Sequence, residues 1–240
     1  MKYKNAPIRE AVFDVRVDKI DVQSVEDIRR YKEQLPKEYQ NELKKVNFTG
    51  FFQVADNTEP ESKTKSDLTG YIYATSQNNR QIQARLDGFT LNILRPYDSW
   101  ETHFEEFLKY WMLYKSLFKP NSIQRIAVRF INRIEIPIPF KDFDDFIINM
   151  PPIPKELPQV FNNFFMQIQV PCSDNLRNAI ITQTMEPANE KVLPLILDLD
   201  IFQERGLAHD TLIDNFTQMR LIKNELFENY ITDETRKLFS

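Results

Sequence analysis

Apolar and polar residues alternate along two stretches of the chain, Ile8–Val17 and Arg125–Pro139. In the first, Ala11, Phe13, Val15 and Val17 fall on one side, and Glu10, Asp14 and Arg16 on the other. In the second, Ile126, Val128, Phe130, Ile134 and Ile136 oppose Arg125, Arg129, Arg133 and Glu135. A period of two belongs to a strand with one face in a core, so each stretch is predicted to be a half-buried strand. Strands are also expected at Val46–Ala55, Leu68–Thr75, Gln81–Leu86, Thr90–Arg95, Val160–Val170, Asn178–Met185 and Val192–Ile201. Turns are expected at Ser76–Arg80 and at Asp87-Gly88, the second being a hairpin signal. The polar run Asp56–Asp67 reads as a loop, and Pro151–Pro158 as a connector.

The period changes to that of a helix twice. Trp100, Phe104, Phe107, Trp111, Tyr114 and Phe118 form an aromatic stripe behind a cap at Asp98-Ser99, a pattern of core packing. Leu212, Phe216, Met219, Leu226 and Tyr230 form a second stripe, and Thr232-Asp233 caps a last short helix. A mostly polar helix from Val25 to Leu35, stopped by Pro36, is expected to cover an edge.

Each half therefore reads as strand, short helix, three or four strands, long helix. The expected fold is α+β. Two tandem β-α-β(3-4)-α repeats, residues 1–120 and 121–240, pack as one unit, and each curved antiparallel sheet lies under its own long C-terminal helix. This is a helix-grip or saddle-like plan, similar in shape to TATA-binding-protein-like folds, a likeness that says nothing of DNA.

Five segments in order, N-A-P-I-R-E-A-V-F, L-N-I-L-R-P-Y-D-S-W, R-F-I-N-R-I-E-I, L-D-L-D-I-F and I-T-D-E-T-R-K-L-F, span the chain. The set resembles a sporadically distributed prokaryotic family to which no function is assigned. The resemblance implies a cytosolic, stand-alone protein of patchy occurrence, a pattern associated with mobile elements or defence loci. It brings no catalytic residues.

Composition narrows the classes. The chain has 240 residues, 42% apolar and 28% charged, with a net charge of −4, which disfavours a broadly cationic nucleic-acid binder. One cysteine, Cys172, allows no internal disulfide and fits a reducing cytoplasm. Four glycines leave little for phosphate-cradling loops, and no apolar run is long enough to span a bilayer.

Candidate chemistry gathers on the polar sides of the strands. Arg125, Arg129 and Arg133 meet Glu10, Asp14 and Arg16 if the two alternating strands pair. Tyr71, Tyr73, Gln83, Arg85, Asn92, Gln167, Gln169, Thr182 and Thr184 are candidates to join them. Such a face is either a salt-bridged network or a site where arginine forks hold a carboxylate or phosphate. Asn132 interrupts an apolar face and is expected to be buried and hydrogen-bonded. Asp198-x-Asp200 is a weak metal pair. His103 and His209 precede or open the long helices, and Cys172 has no histidine near it in sequence.

Three functions follow as expectations. The first is a non-catalytic recognition protein that binds a protein partner or self-associates through its sheets, without a cofactor. The second is a small-anion or nucleotide sensor whose ligand lies between sheet and helix, anchored by Arg129 and Arg133. The third is a metal-dependent hydrolase or nuclease using Glu10, Asp14, Asp198 or Asp200.

Overall fold

The computed structural model describes residues 3–53, 61–158 and 161–240. In chain order its first half comprises β1 (Ile8–Val17), β2 (Asn41–Gln53), β3 (Glu61–Ala74), β4 (Arg80–Arg85), β5 (Gly88–Leu94) and α1 (Trp100–Phe118). The second comprises β6 (Ile123–Pro137), β7 (Phe165–Pro171), β8 (Arg177–Met185), β9 (Val192–Gln203), α2 (Leu212–Tyr230) and α3 (Asp233–Leu238). All nine strands join one antiparallel sheet in the order β2-β3-β4-β5-β1-β6-β9-β8-β7.

This single sheet replaces the expected pair of repeats, each with its own sheet and covering helix. β1 and β6 use their ladder hydrogen bonds on each other, with Phe13 opposite Val128 and Ala11 opposite Phe130, so the sheet runs unbroken across residue 120. The two long helices share one core on one face. Phe13 lies 5.3 Å from Phe107 of α1 and 6.3 Å from Phe216 of α2, and the Phe107 and Phe216 rings are 4.9 Å apart. Alternation states which face of a strand is buried and is silent on which strand it pairs with.

The aromatic stripe of α1 is buried along its length, and Ser99 caps the helix by accepting from the Thr102 N–H at 3.2 Å. Residues Val25–Gln34 form a 3₁₀ helix that does more than cover an edge. Its Ile28 and Tyr31 are fully buried, and the Tyr31 hydroxyl donates to the Tyr110 carbonyl at 2.8 Å. The hairpin loop between β4 and β5 is Leu86-Asp87, and Gly88 already belongs to the strand, opposite Arg85. Gly88 is required for another reason: at φ +146 a Cβ there would overlap the Val15 carbonyl of β1. Of the expected Asp56–Asp67 loop, residues 61–67 extend β3 and residues 56–60 lie outside the described residues, as does Val160 at the start of the strand expected there.

Candidate functional site

The helix-free face of the sheet carries the charges that alternation predicts, and register brings them together. Asp14 of β1 sits opposite Thr90 of β5 and Ala127 of β6. The Thr90 hydroxyl donates to Asp14 Oδ1 at 2.6 Å, and Arg85 Nη2 donates to the same oxygen at 3.1 Å. Arg125 reaches Asp14 Oδ2 at 3.6 Å and Asp200 at 3.3 Å, with its guanidinium 4.6 Å from the centre of the Phe202 ring. Arg129 grips Asp198 with two prongs, Nε to Oδ1 at 2.9 Å and Nη2 to Oδ2 at 2.5 Å. Arg133 donates to Glu186 at 2.8 Å and pairs with Glu135, while Arg16 comes within 3.6 Å of Asp14. Glu10 accepts from Asn92 at 2.6 Å, and Asn92 in turn accepts from Gln83 at 3.1 Å.

Every arginine of the expected cluster thus has a carboxylate. Burial works against the charge on Arg85, whose side chain is 7% exposed, but Asp14 and Asp87 outweigh it and hold its proton more tightly than usual. The Arg129 proton is likewise held by its hydrogen bonds to Asp198. Burial raises the Asp200 pKa in spite of Arg125 and Arg129. Gln167, Gln169, Thr182 and Thr184 share this face, and Gln167 donates to the Thr182 hydroxyl at 2.9 Å.

Tyr71 and Tyr73 do not belong to it. They pair with Ala84 and Ile82, whose side chains enter the core, and both tyrosines are buried on the helix-bearing side. The one-residue difference in phase arises because Gly70, Ile72 and Ala74 occupy the open-face positions of β3. Asp198 and Asp200 are each held by an arginine, and among the described residues no three His, Cys, Asp or Glu side chains form a metal-holding group. His103 is buried, with Nε2 accepting from the Asp98 N–H at 3.1 Å. Burial lowers the His209 pKa and raises that of the Cys172 thiol.

A different site lies where the alternation ends. β1 begins opposite Asn132, so past Arg133 the longer β6 has, among the described residues, a paired strand on its β9 side only. A cleft of about 1230 Å³ opens there, between β6, α2, the loop after β5 and both terminal segments. Its aromatic walls include Tyr97, Trp100, Phe130, Phe227 and Phe239. Tyr97 meets Phe130 edge-on at 5.5 Å, and Trp100 stacks on Phe104 at 5.1 Å. The termini close one end: the Tyr3 hydroxyl lies 2.9 and 3.0 Å from the two carboxylate oxygens of Glu228, and the Asn5 N–H donates to the Phe239 carbonyl at 3.0 Å. Asn132 also lines the cleft. It is buried, with Nδ2 donating to the Leu197 carbonyl at 3.0 Å.

The polar groups of the cleft are unequally matched. Arg220 donates to Glu101 at 2.6 Å and lies over the Trp100 ring at 5.3 Å. Arg95 Nε donates to the Ile8 carbonyl at 3.2 Å. Lys223, one helical turn on from Arg220, has its Nζ 4.1 Å from the centre of the Phe130 ring and no carboxylate partner among the described residues. Burial first, and the like charge of Arg220 second, bring its pKa down from 10.5 to about 8.

Sequence reasoning missed Lys223, although a signal was present. It falls seven residues after Phe216 and seven before Tyr230, so a lysine stands on the apolar stripe of α2. Among the described residues no helix is long and apolar enough to cross a membrane. No protein-family model matches the chain, and neither does any curated protein.

Proposed function

We propose that the protein is a recognition module for a small molecule, held in the cleft between β6, α2 and the terminal segments. The observation that carries this reading is the cleft itself, aromatic-walled, about 1230 Å³ in volume, and reached by the buried polar side chain of Asn132. A concavity that joins aromatic residues to converging polar groups is a form that small-molecule sites take, and this one also carries several charged side chains, among them Arg220 and Lys223. The open face supports the reading by contrast, because its arginines are already matched to carboxylates. The anchors expected at Arg129 and Arg133 give way to residues of α2. The ion pairs of Asp198 and Asp200 likewise weigh against the metal-dependent hydrolase.

Trp100 reports on occupancy. A compound in the cleft should change its fluorescence and, at 100 times its dissociation constant, stabilise the protein by about 2.7 kcal/mol. The fluorescence change should vanish in Trp100→Phe. A metabolite panel in which no compound alters either signal would contradict the proposal.

A second reading, docking of a protein partner or a second copy, draws on the sheet edges. Phe48 on β2 is 72% exposed and Phe165 on β7 is 70% exposed, each on an outermost strand of the sheet among the described residues. Light scattering over a range of concentrations tests it for self-association. A mass that stays monomeric, and that Phe48→Asp and Phe165→Asp leave unchanged, rejects the second-copy form.

A further inference from the structure

Resting on that proposal, we infer that the cleft takes an anion with a planar aromatic body, its carboxylate or phosphate seated on Lys223 Nζ and its ring against the half-buried Tyr97. Lys223 is half-buried on the apolar stripe of α2, and a lysine drawn into such a setting is paired as a rule. The neighbouring cation follows that rule, since Arg220 is answered by Glu101. Lys223 departs from it. Its ammonium rests on the face of Phe130, which supplies part of the missing stabilisation through the ring quadrupole, and among the described residues its donors meet no carboxylate.

An incoming carboxylate or phosphate would supply that counter-charge through charge-assisted hydrogen bonds. The arginines nearby do not compete for the role. Arg133 is held by Glu186 and Glu135, and Arg95 by the Ile8 carbonyl. The walls specify the rest of the ligand. Tyr3 and Tyr97 are the half-buried aromatic residues of the lining, whereas Trp100, Phe130, Phe227 and Phe239 are buried. Flat aromatic surfaces of this kind favour a flat partner.

Four probes separate the parts of the inference by calorimetry at pH 7: benzoate, phenyl phosphate, benzamide and inorganic phosphate. Benzoate or phenyl phosphate should bind most tightly, and whichever of the two binds better identifies the anion. Neutral benzamide should bind at least about tenfold more weakly, and Lys223→Met or Lys223→Gln should weaken the preferred anion by a similar factor while Lys223→Arg retains it. Benzamide binding as well as benzoate, or variants binding unchanged, would overturn the anion seat and leave the cleft proposal standing. Inorganic phosphate binding as tightly as phenyl phosphate would overturn the aromatic requirement. If no probe binds wild type the inference falls, and if the wider panel read through Trp100 is silent too, the cleft proposal falls with it.

Discussion

Two groups of cations sit on opposite sides of the same sheet, and they have opposite chemistry. On the open face, Arg85, Arg125, Arg129 and Arg133 each meet a carboxylate across strands whose register places them together. In the cleft, Lys223 meets an aromatic ring and a like charge. Number of charges points to the first region, and balance of charge points to the second. A matched network holds strands in register. An unmatched cation in a cleft keeps its interaction for something that arrives.

The comparison breaks most severely at Asp14. Asp14→Ala leaves the guanidinium of Arg85 buried with one carboxylate fewer, and should cost about 3–5 kcal/mol, read as a fall in the urea midpoint. A loss below about 1 kcal/mol would mean that the network is ornamental. Arg129→Ala comes next. Arg129 is 47% exposed, but its loss strips Asp198 of its donors, so a cost of about 1–3 kcal/mol is expected with no change in probe binding. Lost binding with intact stability would return the functional role to the open face.

Lys223→Met should move the other way, stabilising the free protein at pH 7 by about 1 kcal/mol, or roughly 2–4 °C in melting temperature, because it removes a half-buried cation from the apolar stripe of α2. The pH dependence follows from the lowered pKa. Below about 8 the group is charged in folded and unfolded chains alike, and the folded state bears the cost of its partial burial. As pH rises from about 8 towards 10.5 the folded amine is neutral while the unfolded one is still charged, so wild type gains on the variant. A variant less stable than wild type at pH 7 would assign Lys223 a structural role. The smallest effect is expected at Glu234→Ala, whose pair with Lys237 is well exposed on α3 and should cost less than about 0.5 kcal/mol, a baseline for the other variants.

Particular residues mark how far the sequence was legible. Alternation in Ile8–Val17 and Arg125–Pro139 correctly assigned the buried side of β1 and β6, because side-chain period is local. The same periodicity placed Gln83, Asn92 and Thr182 on the open face and was one residue out of phase at Tyr71 and Tyr73, where glycine and alanine hide the pattern. The closure of nine strands into one sheet depends on the pairing of β1 with β6, residues more than a hundred positions apart, which no local pattern encodes. The site was the least legible part. Three arginines in one strand draw attention, whereas Asp198 and Glu186, which neutralise two of them, become visible only through register. Lys223 stood on the α2 stripe as a mismatch, and its meaning depends on Phe130, almost a hundred residues earlier.

The central claim is that Lys223 is an uncompensated cation awaiting an anion. Its side chain can be followed directly by NMR, from the pH dependence of the Lys223 Cε shift in isotopically labelled protein. The free protein should show a midpoint near 8, moving upward when benzoate or phenyl phosphate is added. A midpoint near 10.5 that neither compound displaces would contradict it.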